Sequence, residues 1–363
     1  MNIVNVLSCQ PDDVLEQGAF RFAAFELTER LDAKMIGATV YEIDAGKTCW
    51  PYHYHHGVEE WLYVLSGAPL LRDRSGERPL EPGQLVAFSS GPDGAHTVHG
   101  PGRIVIFSAG ARGWGEAFVT VYLDSDKIGA APGVTFRRAD ALATWAPDAR
   151  MTAKETDPQP DRPATTSSPV VNLLTLDDPP ATPEAARDRA GVARVTLGAR
   201  LGAQTWEAVI YELAPGESTA PYHYEWCREE WVLVLSGTTT LRHHEDETPL
   251  AGGDITCFPQ GPTGAHQLRN DSNNPVRLVV FSTPTQRPMS AFYPDQGTVQ
   301  IQIADDEGFL FRLKDQIEDY WDREPGAHAA VALGLSTRTL VPREGSADIP
   351  GVTRAVRRRF RSL

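Results

Sequence analysis

The sequence predicts an all-β protein made of two β-barrels in tandem with few short helices. The first observation is an internal repeat: a shift of 170 positions aligns PYHYHHGVEEWLYVLSG, residues 51–67, with PYHYEWCREEWVLVLSG, residues 221–237. The second is a series of short apolar segments, such as EWLYVLSG and RIVIFS, separated by turns rich in glycine and proline. Segments that are apolar on both faces are typical of strands packed between two layers. Helix signals are scarce, and the best covers residues 312–321, RLKDQIEDYW.

The repeat spans a whole domain. VYEI aligns with IYEL, and the GAH that ends at His96 aligns with the GAH that ends at His266. This period is far too long for a solenoid repeat, so it indicates duplication of a domain. We predict four parts: a first domain (1–149), a linker rich in Pro, Thr and Ser (150–168), a second domain (169–325) and an extension with a basic tail (326–363).

Composition restricts the partners. A chain of 363 residues is long enough for two cores, and its net charge of −14 argues against a nucleic-acid surface, which needs clustered Lys and Arg. No apolar run approaches the roughly 18 residues that span a bilayer, and the N-terminal residues lack the features of a signal peptide. The four cysteines are too irregularly placed for a disulfide framework, and Cys227 is interpreted as a small buried hydrophobe rather than a metal ligand. We expect a cytoplasmic protein that binds neither nucleic acid nor membrane.

The first copy contains residues suited to a metal. His53 and His55 alternate along a predicted strand and therefore point to one face, while His96 comes from a different strand. Either Glu59 or Glu60 is carried inward at the start of an apolar strand, where an unpaired carboxylate is costly and a divalent cation removes the cost. Three imidazoles and a carboxylate suit Fe(II), Mn(II), Ni(II) or Zn(II), and leave two positions open on an octahedral metal.

The second copy exchanges one histidine for a carboxylate. The residues that align with the first set are His223, Glu225, Glu230 and His266. Around a divalent cation the first set carries a charge of about +1 and the second is near zero, so the second centre is the poorer Lewis acid. We predict that the first centre is kept for chemistry and the second for structure or tuning.

These residues resemble the two cupin motifs, G-(X)5–6-H-X-H-(X)3–4-E-(X)6-G and G-(X)5-P-X-G-(X)2-H-(X)3-N. The E-(X)6-G interval selects Glu60 over Glu59 as the ligand. In the first copy Gly100 stands where the family usually has Asn, and one residue fewer separates Gly94 from His96. The matching residues of the first copy are Gly46, His53, His55, Glu60, Gly67, Gly83, Pro92, Gly94 and His96. Those of the second copy are Gly216, His223, Glu225, Glu230, Gly237, Gly253, Pro262, Gly264, His266 and Asn270.

The resemblance implies a bicupin over roughly residues 20–145 and 190–325, most similar to a group of bacterial bicupins whose members mostly have no assigned reaction. The implied fold is a double-stranded β-helix, or jelly roll, with at most one divalent metal inside each barrel. Because each barrel buries a sheet edge of the other, we expect an internal pseudo-dimer that is a monomer or a homodimer.

The cupin barrel hosts many reactions, so the fold does not determine the function. Our leading hypothesis is a metal-dependent oxidoreductase, dioxygenase-like, in which Fe(II) or Mn(II) holds a small chelating, oxygen-rich substrate and O2 is the co-substrate. We expect Trp61, Leu62 and Val64 to form an apolar wall that limits water, and the sequence names no general base. Alternatives are a non-redox metal-dependent isomerase or lyase, and a non-catalytic small-molecule-binding bicupin.

Two further groups of side chains recur in both copies. Tyr52, Tyr54, Tyr222 and Tyr224 alternate with the histidines, so they are expected to point away from the metal and to pack between sheets. Arg72 and Arg242 occupy one barrel position, where a solvent-facing role is expected and contact with an anionic substrate is the alternative.

Overall fold

The computed structural model describes residues 1–110, 119–131, 134–141, 167–176, 193–203, 205, 207–244, 246–283, 288–304 and 307–316. Within these ranges the protein is all-β, as predicted, and its α-helices are two single turns, Leu27–Arg30 and Gly198–Leu201. No helix among the described residues has the length and apolar character needed to cross a membrane. All four cysteines are free. Residues 150–166 of the predicted linker and the whole predicted extension lie outside the described residues.

Two antiparallel sheets of seven strands form the first barrel. In spatial order the first sheet consists of Val170–Asn172, Gln84–Phe88, Val58–Gly67, Gly102–Gly110, Gly37–Ile43, Phe20–Glu26 and Asp13–Gln17. The second consists of Val134–Arg137, Lys127–Ala131, Val119–Tyr122, His53–His56, His96–His99, Leu70–Asp73 and Gly76–Pro79. In the second sheet His53 lies opposite His96, so two predicted ligands are neighbours in the ladder.

The second barrel repeats this arrangement. Its larger sheet consists of Ile3–Asn5, Asp254–Phe258, Glu230–Ser236, Val276–Ser282, Glu207–Leu213 and Ala193–Thr196. The opposite side consists of Tyr224–Glu225, Met289–Tyr293, Thr298–Gln302 and Gly308–Arg312, and of Asp246–Ala251, Thr238–His243 and His266–Arg269. The bridge between His223 and His266 joins these two groups at the position that His53 and His96 occupy in the first barrel. Single 3-10 turns lie at Pro92–Gly94, Arg138–Asp140, Pro262–Gly264, Pro294–Gln296 and Leu313–Asp315.

The helix predicted over residues 312–321 is wrong where the structure describes it. Arg312 ends a strand, and Leu313–Asp315 form one 3-10 turn. The strand that ends at Arg312 pairs with Thr298–Gln302, and the Leu313 N–H donates to the Gly297 carbonyl. Hairpin pairing therefore overrides the local helical spacing. Residues 317–321 lie outside the described residues.

The two halves of the chain exchange a strand. Ile3–Asn5 pairs with residues 254–256 of the second barrel, and Val170–Asn172 pairs with residues 84–86 of the first. Each exchanged strand extends a sheet of the other barrel, which covers an edge that would otherwise present unpaired backbone groups. The predicted boundary at residue 169 therefore does not coincide with a change of barrel, because the first strand beyond it lies in the first barrel.

Strand Val58–Gly67 is apolar on both faces because each face borders a different core. Leu62 and Val64 belong to the cluster inside the first barrel. Trp61 and Tyr63 belong to the cluster between the barrels, where the rings of Trp61 and Phe281 are 6.3 Å apart. The prediction that Trp61, Leu62 and Val64 form one apolar wall is wrong for Trp61. Leu62 and Val64 line the first barrel, whereas Trp61 faces the second barrel, since successive side chains of a strand alternate.

Motif glycines mark places where two chain segments nearly touch. Gly67 has φ +85°, and a Cβ there would lie 2.8 Å from the Pro101 carbonyl oxygen. Gly237 has φ +82°, and a Cβ there would lie 2.9 Å from the Pro275 carbonyl oxygen. Only glycine meets both requirements, which explains why this residue recurs at the same interval after the glutamate.

The departure from the motif at Gly100 also has a steric reason. A Cβ at Gly100 would lie 2.2 Å from the Asp44 carbonyl oxygen. In the second barrel the corresponding Asn270 is fully buried and donates to the carbonyls of Leu213 and Asn274. The first barrel therefore has no room for the asparagine that organises this turn in the second.

Candidate metal centres

The four side chains predicted for the first barrel meet at one point. The His55 Nε2 atom is 3.1 Å from the His53 Nε2 atom and 3.1 Å from the Glu60 Oε2 atom. The same carboxylate oxygen is 3.5 Å from His96 Nε2 and 4.0 Å from His53 Nε2. The structure thus brings the predicted set together, while metal binding itself stays a prediction.

Local structure explains how His96 reaches this point. The 3-10 turn Pro92–Gly94 precedes it, and a Cβ at Gly94 would lie 1.9 Å from the Ser89 carbonyl oxygen, so the turn closes only around glycine. The His96 ring then stacks on Phe88 with ring centroids 3.7 Å apart. Tyr52 and Tyr54 point away into a separate apolar cluster, which confirms their predicted packing role.

Hydrogen bonds at the far side of each imidazole fix which nitrogen faces the centre. His53 Nδ1 is 2.8 Å from the Pro51 carbonyl oxygen, and His96 Nδ1 is 2.9 Å from the Gly94 carbonyl oxygen. A carbonyl only accepts, so Nδ1 carries the proton and Nε2 presents its lone pair to the centre. His55 Nδ1 is 3.0 Å from Thr120 Oγ1. Such outer contacts are typical of metal-binding histidines.

The pKa shifts at the first centre favour neutral imidazoles of His53 and His96 and an ionised Glu60. Burial, followed by the neighbouring His96, lowers the pKa of His53 to about 3. Burial also lowers the pKa of His96. Burial acts to raise the pKa of Glu60, but the three histidines outweigh it and bring that pKa to about 2. For His55, burial acts to lower the pKa, but the Glu60 carboxylate raises it overall.

A divalent cation fits this arrangement. His96 Nε2 is buried and has no hydrogen-bond partner among the described residues. Ligand atoms of His53, Glu60 and His96 all lie within 4.8 Å of one another, and His55 Nε2 adds a fourth donor. A cation would satisfy the orphaned His96 nitrogen and could be shared by the Nε2 atoms of His53 and His55.

Thr120→Val tests the outer contact of His55. Loss of the hydroxyl removes the Thr120 contact of His55 Nδ1, so we expect roughly 10–100-fold weaker metal affinity at the first barrel. Titration of the metal-free protein with Zn(II) or Mn(II) measures the change. Thr256→Val is the matched control, because the Thr256 hydroxyl is also buried but donates to the Asn2 carbonyl in the second barrel. Equal affinity for both variants would contradict the prediction.

In the second barrel three of the four predicted residues form a group, and the fourth, Glu225, pairs with an arginine beside them. Ligand atoms of His223, Glu230 and His266 lie within 4.8 Å of one another, and His266 Nε2 is 3.7 Å from Glu230 Oε2. The Nδ1 atoms of both histidines again face backbone carbonyls, at 2.9 Å from Pro221 O and 2.9 Å from Gly264 O. Cys227 belongs to neither group of possible ligands found in the described residues, and it is half-buried rather than buried as predicted.

Glu225 has a different partner, which sequence reasoning missed. Its carboxylate forms an ion pair with Arg228 Nε, and Arg228 Nη1 also lies 3.7 Å from Glu230 Oε1. Burial, and then the Glu230 carboxylate, raise the pKa of Glu225 to about 7. Burial acts to raise the pKa of Glu230 too, but the Arg228 guanidinium together with His266 and His223 outweighs it and lowers that pKa. Val58 occupies the position of the first copy that corresponds to Arg228. The signal in the sequence was therefore a charged residue aligned with an apolar one.

The first glutamate of each EEW sequence joins the barrels, a role that sequence reasoning also missed. The Glu229 carboxylate accepts hydrogen bonds from the backbone N–H groups of Lys34, Met35 and Ile36 and from Trp231 Nε1, at 2.6–3.2 Å. The Glu59 carboxylate accepts from Thr205 N, Thr205 Oγ1 and Trp61 Nε1, at 2.7–3.0 Å. The repetition of Glu-Glu-Trp in both copies is the signal that could have revealed this pairing.

Arg72 and Arg242 are engaged in ion pairs. Arg72 binds Asp124 through two N–H groups at 2.6 and 2.9 Å, and its guanidinium lies 4.1 Å from the Tyr52 ring centre. Arg242 repeats this with Asp295 at 2.5 and 3.0 Å and with the Tyr222 ring at 4.1 Å. Bidentate pairing and stacking give both arginines a structural role at the barrel surface.

Fold and site together define a protein of two β-barrels with a His/Glu cluster inside each. Residues 209–282 match the family model described as "Cupin domain". This stretch lies in the second barrel, and the first barrel repeats its strands and motif residues. The second barrel therefore contains a cupin domain, and the first barrel has the same arrangement of strands and motif residues.

Solved structures of other proteins are similar to this chain. Oxalate decarboxylase from Bacillus subtilis, at pH 4.6, is 13% identical over 93% of this chain and 83% of its own, with a TM-score of 0.45. A sugar phosphate isomerase of the cupin superfamily from Silicibacter pomeroyi DSS-3 is 26% identical over 34% of this chain and 78% of its own, with a TM-score of 0.33. No curated protein matches the chain.

Proposed function

We propose that the first barrel is the catalytic centre of a metal-dependent oxidoreductase, dioxygenase-like, that acts on a small chelating, oxygen-rich substrate. The observation that supports this most strongly is the convergence of three imidazole Nε2 atoms on one buried carboxylate oxygen, at 3.1–4.0 Å. Neutral imidazoles with a single carboxylate form a ligand set for Fe(II) and Mn(II) as well as for Zn(II).

In this proposal His53, His55, Glu60 and His96 hold the metal. Fe(II) or Mn(II), when bound there, supplies a redox-active Lewis acid. The carbonyls of Pro51 and Gly94 keep the Nδ1 protons of two imidazoles and so preserve their orientation. The interior beyond the centre is filled with fully buried apolar side chains, among them Leu62 and Val64, so these residues exclude water from that side of the centre.

An aromatic group beside the centre supports a substrate site in this barrel. The ring of Trp50 is 4.7 Å from that of Tyr41 and 6.1 Å from that of Phe22, and it is 6.2 Å from the imidazole of His53. Trp50 Nε1 is buried with no hydrogen-bond partner among the described residues, so this N–H is available to a substrate oxygen. Ala220 takes the corresponding position of the second copy, which favours the first barrel as the reactive one.

The proposal is tested with metal-free protein reconstituted separately with Fe(II), Mn(II), Ni(II) or Zn(II). Each form is offered small chelating compounds, such as 2-oxo acids, dicarboxylates, catechols and β-diketones, while dissolved O2 is recorded. We expect substrate-dependent O2 consumption with Fe(II) or Mn(II) and none with Zn(II), because Zn(II) has no redox chemistry. Equal turnover without O2, or with Zn(II), would replace this proposal by a lyase or isomerase. Binding of these compounds without turnover would indicate a binding protein instead.

A further inference from the structure

We infer that the second barrel is closed to metal, because the Arg228 guanidinium pairs with Glu225 and lies beside Glu230, the carboxylate that a cation would need. The chain then binds one metal, in the first barrel. This inference concerns the second barrel and holds whatever reaction the first performs. It differs from the sequence-based expectation that Glu225 is a metal ligand.

Two substitutions between the copies belong together. Where the first barrel has His55 and Val58, the second has Glu225 and Arg228, and these two side chains form an ion pair. Both are largely buried, with 9% of the Glu225 side chain and 17% of the Arg228 side chain exposed. A buried guanidinium left without its carboxylate is costly, so the pair resists separation. Glu225 cannot turn to a metal without leaving Arg228 partly unpaired.

The charge of the site is balanced by the protein itself. Glu225 and Arg228 sum to zero when both are ionised, as do Val58 and His55 when the imidazole is neutral, so with a metal bound each site would keep the single negative charge of Glu230 or Glu60. The sequence-based expectation of one extra negative charge in the second centre is therefore wrong, because Arg228 offsets it. What the second barrel loses is the imidazole nitrogen of His55, since Glu225 places a carboxylate there and Arg228 pairs with it.

The number of donors alone does not close the site, because two histidines and one carboxylate bind Fe(II) in other proteins. What closes the site is the position of the Arg228 guanidinium. Arg228 Nη1 lies 3.7 Å from Glu230 Oε1, beside the one carboxylate that His223 and His266 could share with a metal. A divalent cation bound there would face a fixed positive charge within a few ångströms in a buried environment, where such repulsion is weakly screened.

Reciprocal exchange of the paired residues tests the inference. The first variant carries Glu225→His with Arg228→Val, and the second carries His55→Glu with Val58→Arg. Each protein is equilibrated with excess Mn(II) or Zn(II), freed of unbound metal by gel filtration and analysed for metal per chain by mass spectrometry. We expect about one metal in the wild type, about two in the first variant and none in the second, as the donor sets require. Circular dichroism and thermal unfolding show whether each variant is folded.

The wild type decides the question even if a variant does not fold. Anomalous diffraction at the absorption edge of the bound metal locates each ion, and we expect a peak only among His53, His55, Glu60 and His96. A peak of similar height at His223, Glu230 and His266 would overturn the inference, as would one metal retained by folded His55→Glu, Val58→Arg protein. Protein that holds about one metal but turns over no substrate would contradict the proposed function and leave this inference intact.

Discussion

Glu229→Ala is expected to destabilise the folded chain by at least about 3 kcal/mol, since each buried donor left without an acceptor costs roughly 1–3 kcal/mol. The carboxylate is 1% exposed and accepts from three successive backbone N–H groups of the first half and from one indole N–H. Alanine leaves these donors unpaired between the barrels, where Phe107, Trp231 and Phe281 pack against one another. Backbone groups cannot move away from the gap, so repacking offers little relief.

Urea unfolding followed by tryptophan fluorescence measures this loss, because two of the reporting rings, Trp61 and Trp231, lie in the same interface. Glu77→Ala is the control: that carboxylate is exposed, and its removal is expected to change the free energy of unfolding by about 0.5 kcal/mol or less. Glu229→Gln keeps one acceptor oxygen but turns an NH2 group toward donors, so we expect an intermediate loss. A loss of less than about 1 kcal/mol in the free energy of unfolding of the alanine variant would show that water, or movement of the loop at residues 34–36, replaces the carboxylate.

The sequence predicted most of the first site because its information is local. Strand alternation places His53 and His55 on one face, and the fixed interval to Gly67 selects Glu60 from two adjacent glutamates. That interval has a physical basis, because the strand must end where only glycine fits beneath Pro101. The duplication was equally visible, since identical residue types recur at constant spacing and therefore occupy equivalent positions in two copies of one fold.

What the sequence did not reveal depends on contacts between distant segments. Glu229 and residues 34–36 are joined only by the way the barrels dock, and the strand exchange of Ile3–Asn5 with the second barrel has no local signal. Arg228 was overlooked because its role depends on an ion pair with Glu225, which lies three positions earlier at the other end of a loop. The helix over residues 312–321 failed for the converse reason: its spacing is helical, but a neighbouring strand takes its backbone hydrogen bonds.

His55→Ala is expected to remove the metal of the first barrel and nearly all of the proposed activity. His55 Nε2 lies at 3.1 Å from both His53 Nε2 and Glu60 Oε2, so its loss opens the centre on one side and deletes a donor. We expect metal affinity to fall by more than the roughly 10–100-fold that loss of an outer-shell partner costs. Metal per chain and turnover, measured on the same preparation, test the two consequences separately.

His56→Ala supplies the matched control, because it removes an exposed imidazole from the next residue of the same strand, which points to the opposite face. We expect that variant to keep about one metal per chain, since no ligand is lost. The metal-free forms should also differ: His55→Ala removes one of the three histidines that lower the pKa of Glu60, so this carboxylate becomes easier to protonate. If His55→Ala keeps its metal and its activity while His223→Ala loses both, the roles of the barrels are reversed, and the reactive centre lies beside Arg228.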